Sequence, residues 1–169
     1  MIIEKRGCNF WEQVYNESND SPEPYDAIVC DISKTVRGNG MLVMSNEQEK
    51  EFSERFPGLS ETWGHRLQNE LNTYGLMVNP TFIKRQNQPE ELDGNVDLMF
   101  LVAFPTRKEY KNNPDEEVIT MSCITFRKLV DTMGWDKVLM TAPSGIDWEK
   151  VKPIFKTHFD TRFTVVINE

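Results

Sequence analysis

Gly38-Asn39-Gly40 is the stretch whose residue types and spacing first suggest chemistry, lying shortly after the apolar run Ala27-Ile28-Val29-Cys30. Glycines take positive φ without steric cost and leave backbone N–H groups uncovered. A helix opening near Met41 would add its unpaired N–H groups and the positive end of its macrodipole, and a strand, glycine turn and helix in that order hold an anion. The same glycine pair also serves a plain tight turn. Among the carboxylates, Asp31 follows the apolar run directly, and Asp147 precedes Trp148 and Glu149, where an aspartate caps a helix.

Other chemistries are poorly supplied. His65 and His158 are the two histidines, with neither an i, i+4 partner nor a Cys–His cluster, so no metal site or histidine dyad is expected. Cys8, Cys30 and Cys123 are an odd set without C-x-x-C spacing, which gives neither a disulfide framework nor a zinc site. Cys30 and Cys123 read instead as small core residues. No cofactor is implied.

The elements that must position these residues follow from periodicity. Residues 1–5 read as a first strand, entering at Gly7 a loop that opens into Phe10-Trp11, and the polar run at 16–24 as a surface excursion. The apolar run at 27–30 has the pattern of a central strand covered on both faces. Met41, Met44, Gln48, Phe52 and Phe56 fall on one stripe of a helix ended by Pro57-Gly58. A second helix follows from Ser60, with Trp63, Leu67 and Leu71 inward and Gly75 at its end. Residues 76–85 form a strand that Pro80 places toward a sheet edge, and Asp93-Gly94 marks a hairpin turn. VDLMFLVAF, at 96–104, is the second central strand. Asn113 as N-cap and Pro114 at the first helical position open a helix to about Met133, with Ile119, Cys123, Phe126 and Val130 buried. A short strand at 137–141, a helix from 147 or 148 to 159 and a strand at 163–167 complete the chain. Strands alternating with helices predict an α/β fold with helices on both faces of a mixed sheet.

At 169 residues one domain, 1–169, is expected. The formal net charge of −8 argues against a broad nucleic-acid surface, which needs excess Lys and Arg. No apolar stretch approaches a membrane span, and MIIEKRGCNFW has no signal-peptide run, so a cytoplasmic protein is the expectation.

Three stretches together resemble a macrodomain, the three-layer α/β/α fold that binds ADP-ribose. They are DAIVCDISKTVRGNGMLVMSNEQEKEFSERFPG, FLVAFPTRKEYKNNPDEEVI and KVLMTAPSGIDWEKVKPIF. In order they are similar to glycine loop 1 with its helix, the phenylalanine-proline-threonine segment and loop 2. The likeness is to the branch containing the DNA ADP-ribosyl glycohydrolase antitoxins and the terminal ADP-ribose glycohydrolase.

The resemblance implies a cleft at the carboxyl ends of the central strands, with Gly38, Asn39 and Gly40 supplying amides from loop 1 and Ser144 and Gly145 from loop 2. Asn9 stands where the family's adenine-binding aspartate is usual, Asp31 and Ser33 occupy the region before loop 1, and Thr106 belongs to the second motif. Arg107 replaces that branch's nucleophilic lysine, and an arginine stays protonated and cannot attack; Lys108 comes one residue later. Loop 2 is shortened to Ser144-Gly145-Ile146, and Asp147 matches the branch's acid/base carboxylate. The implied ligand is ADP-ribose or a related nucleotide, and the implied substrate of an active form is an ADP-ribosylated macromolecule.

Three functions remain open on the residues. One is a binding module that keeps part of the loop amides. A second is a glycohydrolase or ADP-ribose phosphate-ester phosphatase using Asp147, Lys108 or Asp31. The third is a pseudo-macrodomain that works by protein contact. Altered motif positions beside intact elements favour the first.

Overall fold

The computed structural model describes residues 1–15, 25–69, 76–84 and 96–168. The expectations for 16–24, Leu71, Gly75, 85–95 and the Asp93-Gly94 turn lie outside them.

Six strands form one sheet in the order β1-β6-β5-β2-β4-β3. These are β1 (Ile3–Arg6), β2 (Ala27–Ser33), β3 (Met77–Lys84), β4 (Val96–Arg107), β5 (Val138–Thr141) and β6 (Phe163–Ile167). Every neighbouring pair is parallel except β3 with β4. The five parallel strands therefore bring their carboxyl ends to one edge, where Arg6, Ile167, Thr141, Ser33 and Arg107 end them. All seven residues of β2 are buried, as its unbroken apolar run requires. β3 lies at the sheet's edge, where Pro80 was expected to put it.

Helices cover both faces. Alternation along β2 sends Ile28, Cys30 and Ile32 into a core with Phe10, Trp11, Phe52 and Trp63 of α1 (Phe10–Tyr15), α2 (Glu47–Arg55) and α3 (Leu59–Asn69). Ala27 and Val29 enter the opposite core with Ile119, Cys123, Phe126 and Val130 of α4 (Glu116–Met133) and Val151 and Phe155 of α5 (Trp148–His158). Among the described residues no helix is long and apolar enough to cross a membrane.

Several boundaries differ from expectation; β4 runs on past Phe104 to Arg107, and α3 opens at Leu59 with Ser60 inside it. Phe10 and Trp11 open a helix, not a loop, because the Asn9 Oδ1 accepts from Trp11 N at 2.9 Å and Glu12 N at 3.3 Å. α4 is capped by Asp115, whose carboxylate accepts from Glu117 N and Val118 N, so Pro114 lies outside the helix. The last difference bears on function. No helix follows Gly40; α2 begins at Glu47, and Met41 and Met44 precede it.

Two local forces set that start. Asn46 and Glu49 form a capping box, with Glu49 N donating to Asn46 Oδ1 at 2.7 Å and Asn46 N to Glu49 Oε1 at 3.4 Å. Before it the chain folds back as a turn: Val36 and Leu42 pair antiparallel, Gly40 N donates to Arg37 O at 2.9 Å and Arg37 N to Met41 O at 2.8 Å. Gly40 carries this turn at φ 88°.

The turn is pressed onto α3. A Cβ on Gly64 would stand 2.1 Å from Gly40 O and 2.5 Å from Leu42 N, so only glycine lets the helix approach this backbone. Leu42 N donates to Ser60 O at 2.9 Å and the Ser60 Oγ to Leu42 O at 3.2 Å, fixing the contact. Alanine ordinarily gains about 1 kcal/mol over glycine inside a helix. Here the clash with backbone outweighs that gain, and Gly64→Ala should lose about 2 kcal/mol or more in urea unfolding. Gly38→Ala, with no atom within 4 Å of the new Cβ, should stay within about 0.5 kcal/mol of the parent.

Candidate functional site

A cleft of about 460 Å³ opens at the carboxyl ends of the parallel strands. That is within the roughly 300–1,000 Å³ of small-ligand sites, and it lies where open α/β sheets place ligands. Asp31, two residues before the end of β2, lies beneath it, and Thr141, the last residue of β5, and Ala142 after it line it. Ser144 comes from the next loop, Asn168 from the end of β6, and Cys8, Asn9, Phe10 and Trp11 from the turn after β1. Glu47, Gln48 and Glu51 face it from the start of α2.

Asp31 is the best-anchored of these groups. Its Oδ1 accepts from Thr106 Oγ1 and from Arg107 Nη1 at 3.3 Å, and its Oδ2 accepts from Ser144 N at 3.4 Å. Its own N–H donates to Gln48 Oε1 at 3.2 Å, and Gln48 Nε2 donates to Thr141 Oγ1 at 2.7 Å, so one side chain ties α2 to two strand ends. The other arm of Arg107, Nη2, donates to Glu49 Oε1. One buried guanidinium thus joins β4 to a carboxylate on β2 and another on α2. Glu49 Oε2 and Asn46 Nδ2 are buried without a hydrogen-bond partner beside it.

Burial dominates the titration of both carboxylates. Loss of water pushes Asp31 up to about 6, against the lowering effects of Thr106, Arg107 and Ser144 N. Loss of water likewise pushes Glu49 up to about 7, with Arg107 opposing and the Asp31 charge adding to the rise. Burial also raises the thiols of Cys30 and Cys123, which sit in the two cores as small apolar residues.

The first structures similar to the chain are the macrodomain of Thermus aquaticus DarG, at TM-score 0.68 and 16% identity over 100% of this chain and 99% of that one, and the macrodomain of Mycobacterium tuberculosis DarG, at 0.65 and 16% over 100% and 99%. Thermosipho africanus DarTG, solved in complex with ADP-ribose, matches at 0.63 and 15% over 85% of this chain and 38% of that one. The chain has the macrodomain fold. No family profile matches its sequence, and no curated protein does.

Within this fold the expected site residues separate into three groups. Asn9, Asp31 and Ser144 line the cleft. Thr106 and Arg107 lie behind it, buried and bonded to Asp31, and Ser33 is buried with its Oγ accepting from Thr35 N at 3.4 Å. Arg107 is therefore no surface charge, because the two carboxylates draw it inward. The remaining residues stand away from the lining. Gly38, Asn39 and Gly40 form the turn against α3, with Gly40 N–H taken by Arg37 O and the Asn39 Oδ1 accepting from Met41 N at 3.1 Å. They do not sit at a helix N-terminus: the helix expected to open near Met41 is corrected to a turn, with Gly38 and Asn39 exposed.

Gly145 packs against Pro114 at φ 82°. Asp147 is exposed and caps α5, its Oδ1 accepting from Glu149 N at 3.1 Å. Lys108 is exposed past the end of β4, and neither it nor Asp147 lines the cleft.

Sequence reasoning missed Gln48, Glu49, Thr141, Trp11 and Asn168. The Asn46-Glu47-Gln48-Glu49 run carries a capping-box signature that would have set the α2 start and placed Glu47 and Gln48 at a strand edge. Nothing in sequence pairs Asn168 or Thr141 with residues so distant along the chain.

Arg107→Met leaves two buried carboxylates without their counter-charge and should cost about 3–5 kcal/mol in denaturant unfolding at pH 7.5. The pH response follows from the raised carboxylates. Unfolded Asp and Glu titrate at about 4, so between there and about 7 the folded chain binds more protons than the unfolded chain. Stability from these groups is full below about pH 4 and is lost as pH rises through their folded values. The unfolding free energy, measured by urea at pH 5 and pH 7.5, should be higher at pH 5, and Glu49→Gln should flatten the upper part of that slope.

Proposed function

We propose that this macrodomain binds a ribose-bearing ligand, ADP-ribose or a related nucleotide, in the strand-end cleft and does not hydrolyse it. The single observation that carries the reading is the placement of the reactive groups. The cleft has the size and position for a nucleotide, yet neither Asp147 nor Lys108 lines it. A general acid or nucleophile acts only within hydrogen-bond reach of the reacting atom. Asp31, the one reactive residue expected from the sequence that does line it, has both oxygens engaged by Thr106, Arg107 and Ser144 N. Its role is to fix the cleft floor and hold the loop after β5 in place.

Asn9 and Ser144 would contact the ligand from opposite sides, with Phe10 and Trp11 offering apolar surface. The Asn9 carbonyl oxygen already accepts two N–H groups of α1, which leaves its amide N–H to donate. An adenine amino group, itself a donor, therefore finds less to bind at Asn9 than at an aspartate.

Titration calorimetry with ADP-ribose tests the reading. Saturable heat is expected, weakened at least tenfold by Ser144→Trp, which fills the cleft mouth from an exposed position, and unchanged by Asp147→Ala and Lys108→Ala. No heat and no thermal shift with either ADP-ribose or adenosine at millimolar concentration would leave a fold that works by protein contact. Release of ADP-ribose from modified DNA or protein would restore the hydrolase reading.

A further inference from the structure

The charge lining the cleft has one sign. Asp31, Glu47 and Glu51 face it, and among the described residues none of its lining is a lysine, arginine or histidine. Several of the groups that would bind phosphate are used elsewhere. Both arms of Arg107 are on Asp31 and Glu49. Ser144 N donates to Asp31, and Asp31 N to Gln48. The amides of Gly40 and Met41 close the turn against α3. Even the first turn of α2, whose dipole would favour an anion, already carries Glu47 and Glu49, with Glu49 N taken by Asn46.

What remains open to a ligand is a set of acceptors, amide side chains and aromatic surface. Glu47 and Glu51 are acceptors when ionised, suited to hydroxyl donors, and an acidic side chain is the usual partner of ribose hydroxyls in nucleotide sites. Glu51 also accepts from the Trp11 indole N–H, which holds it at the wall. Asn9, Gln48 and Asn168 add amides, and Phe10 and Trp11 an apolar surface beside them.

We infer that the cleft takes the uncharged ribosyl part of its ligand and discriminates against the diphosphate, so that a ribonucleoside binds more tightly than the ADP-ribose built on it. This rests on the binding reading above and narrows its ligand class. In water-filled space like charges repel over about one Debye length, roughly 10 Å at 0.1 M salt, which spans a cleft of this size.

Parallel calorimetric titrations with adenosine and with ADP-ribose, on the full chain at pH 7.5, test the inference. Adenosine should bind at least fivefold more tightly. Raising salt from about 50 to 500 mM should strengthen ADP-ribose binding and leave adenosine nearly unchanged, because screening removes only the repulsion. Glu47 is exposed, so Glu47→Gln should fold as the parent does, and it should reduce the adenosine preference at least twofold; Glu47→Lys should reduce it further.

ADP-ribose binding more tightly than adenosine would overturn this inference and leave the binding reading standing. Adenosine heat without ADP-ribose heat would support it and limit the binding reading to nucleosides. Absence of heat from both ligands would overturn both. A preference unmoved by salt and by both Glu47 variants would also overturn it, since charge would then not be its cause.

Discussion

The guanidinium of Arg107, held between Asp31 and Glu49, is the interaction on which the cleft depends. It stands at the end of β4, bonds a carboxylate at the end of β2 and reaches another inside the first turn of α2. Replacing one partner would strand a charge away from water, a cost far above the worth of an exposed pair. The same carboxylate that holds Arg107 receives Thr106 and the backbone of the loop after β5. A helix, two strands and a loop are thereby fixed to one another at the edge where all parallel strands end. Packing alone would not fix them so closely there, because strand ends have lost their lateral ladder and side chains must supply the bonds.

That arrangement has a consequence for recognition. An arginine near a nucleotide-sized cleft would ordinarily be read as its phosphate ligand. Here the arginine is spent on structure, and the carboxylates it does not reach, Glu47 and Glu51, set the character of the opening. The burial that raises Asp31 and Glu49 is the same burial that keeps Arg107 out of the cleft lining. One desolvated cluster therefore gives the site both its rigidity and its lack of positive charge.

The glycine turn shows how a motif can keep its residues and change its work. Gly38, Asn39 and Gly40 have the composition of an anion loop, but the Gly40 N–H closes a turn on Arg37 O and the Gly40 carbonyl lies against Gly64. A helix starting at Met41 would have kept those amides in line with a dipole. The capping box at Asn46 delays the helix, and the residues between are drawn into the pairing of Val36 with Leu42. The stripe from Met41 to Phe56 was real as periodicity; its first members are simply not helical, because capping and pairing are stronger local determinants than spacing.

The sequence by itself determined the two buried central strands, the edge position of Pro80, the inward faces of α4 and α5, the core placement of Cys30 and Cys123 and the macrodomain likeness, because each follows from short-range periodicity or from a motif read along the chain. It also carried the capping role of Asp147 in three consecutive residues. Only the tertiary structure decided that Arg107 is buried, that Asp31 lies beneath the cleft, that Gly40 meets Gly64 and that Glu47, Thr141 and Asn168 share one opening. Those facts join residues far apart in the chain, and their energies come from desolvation and close approach, which exist only once the elements have packed.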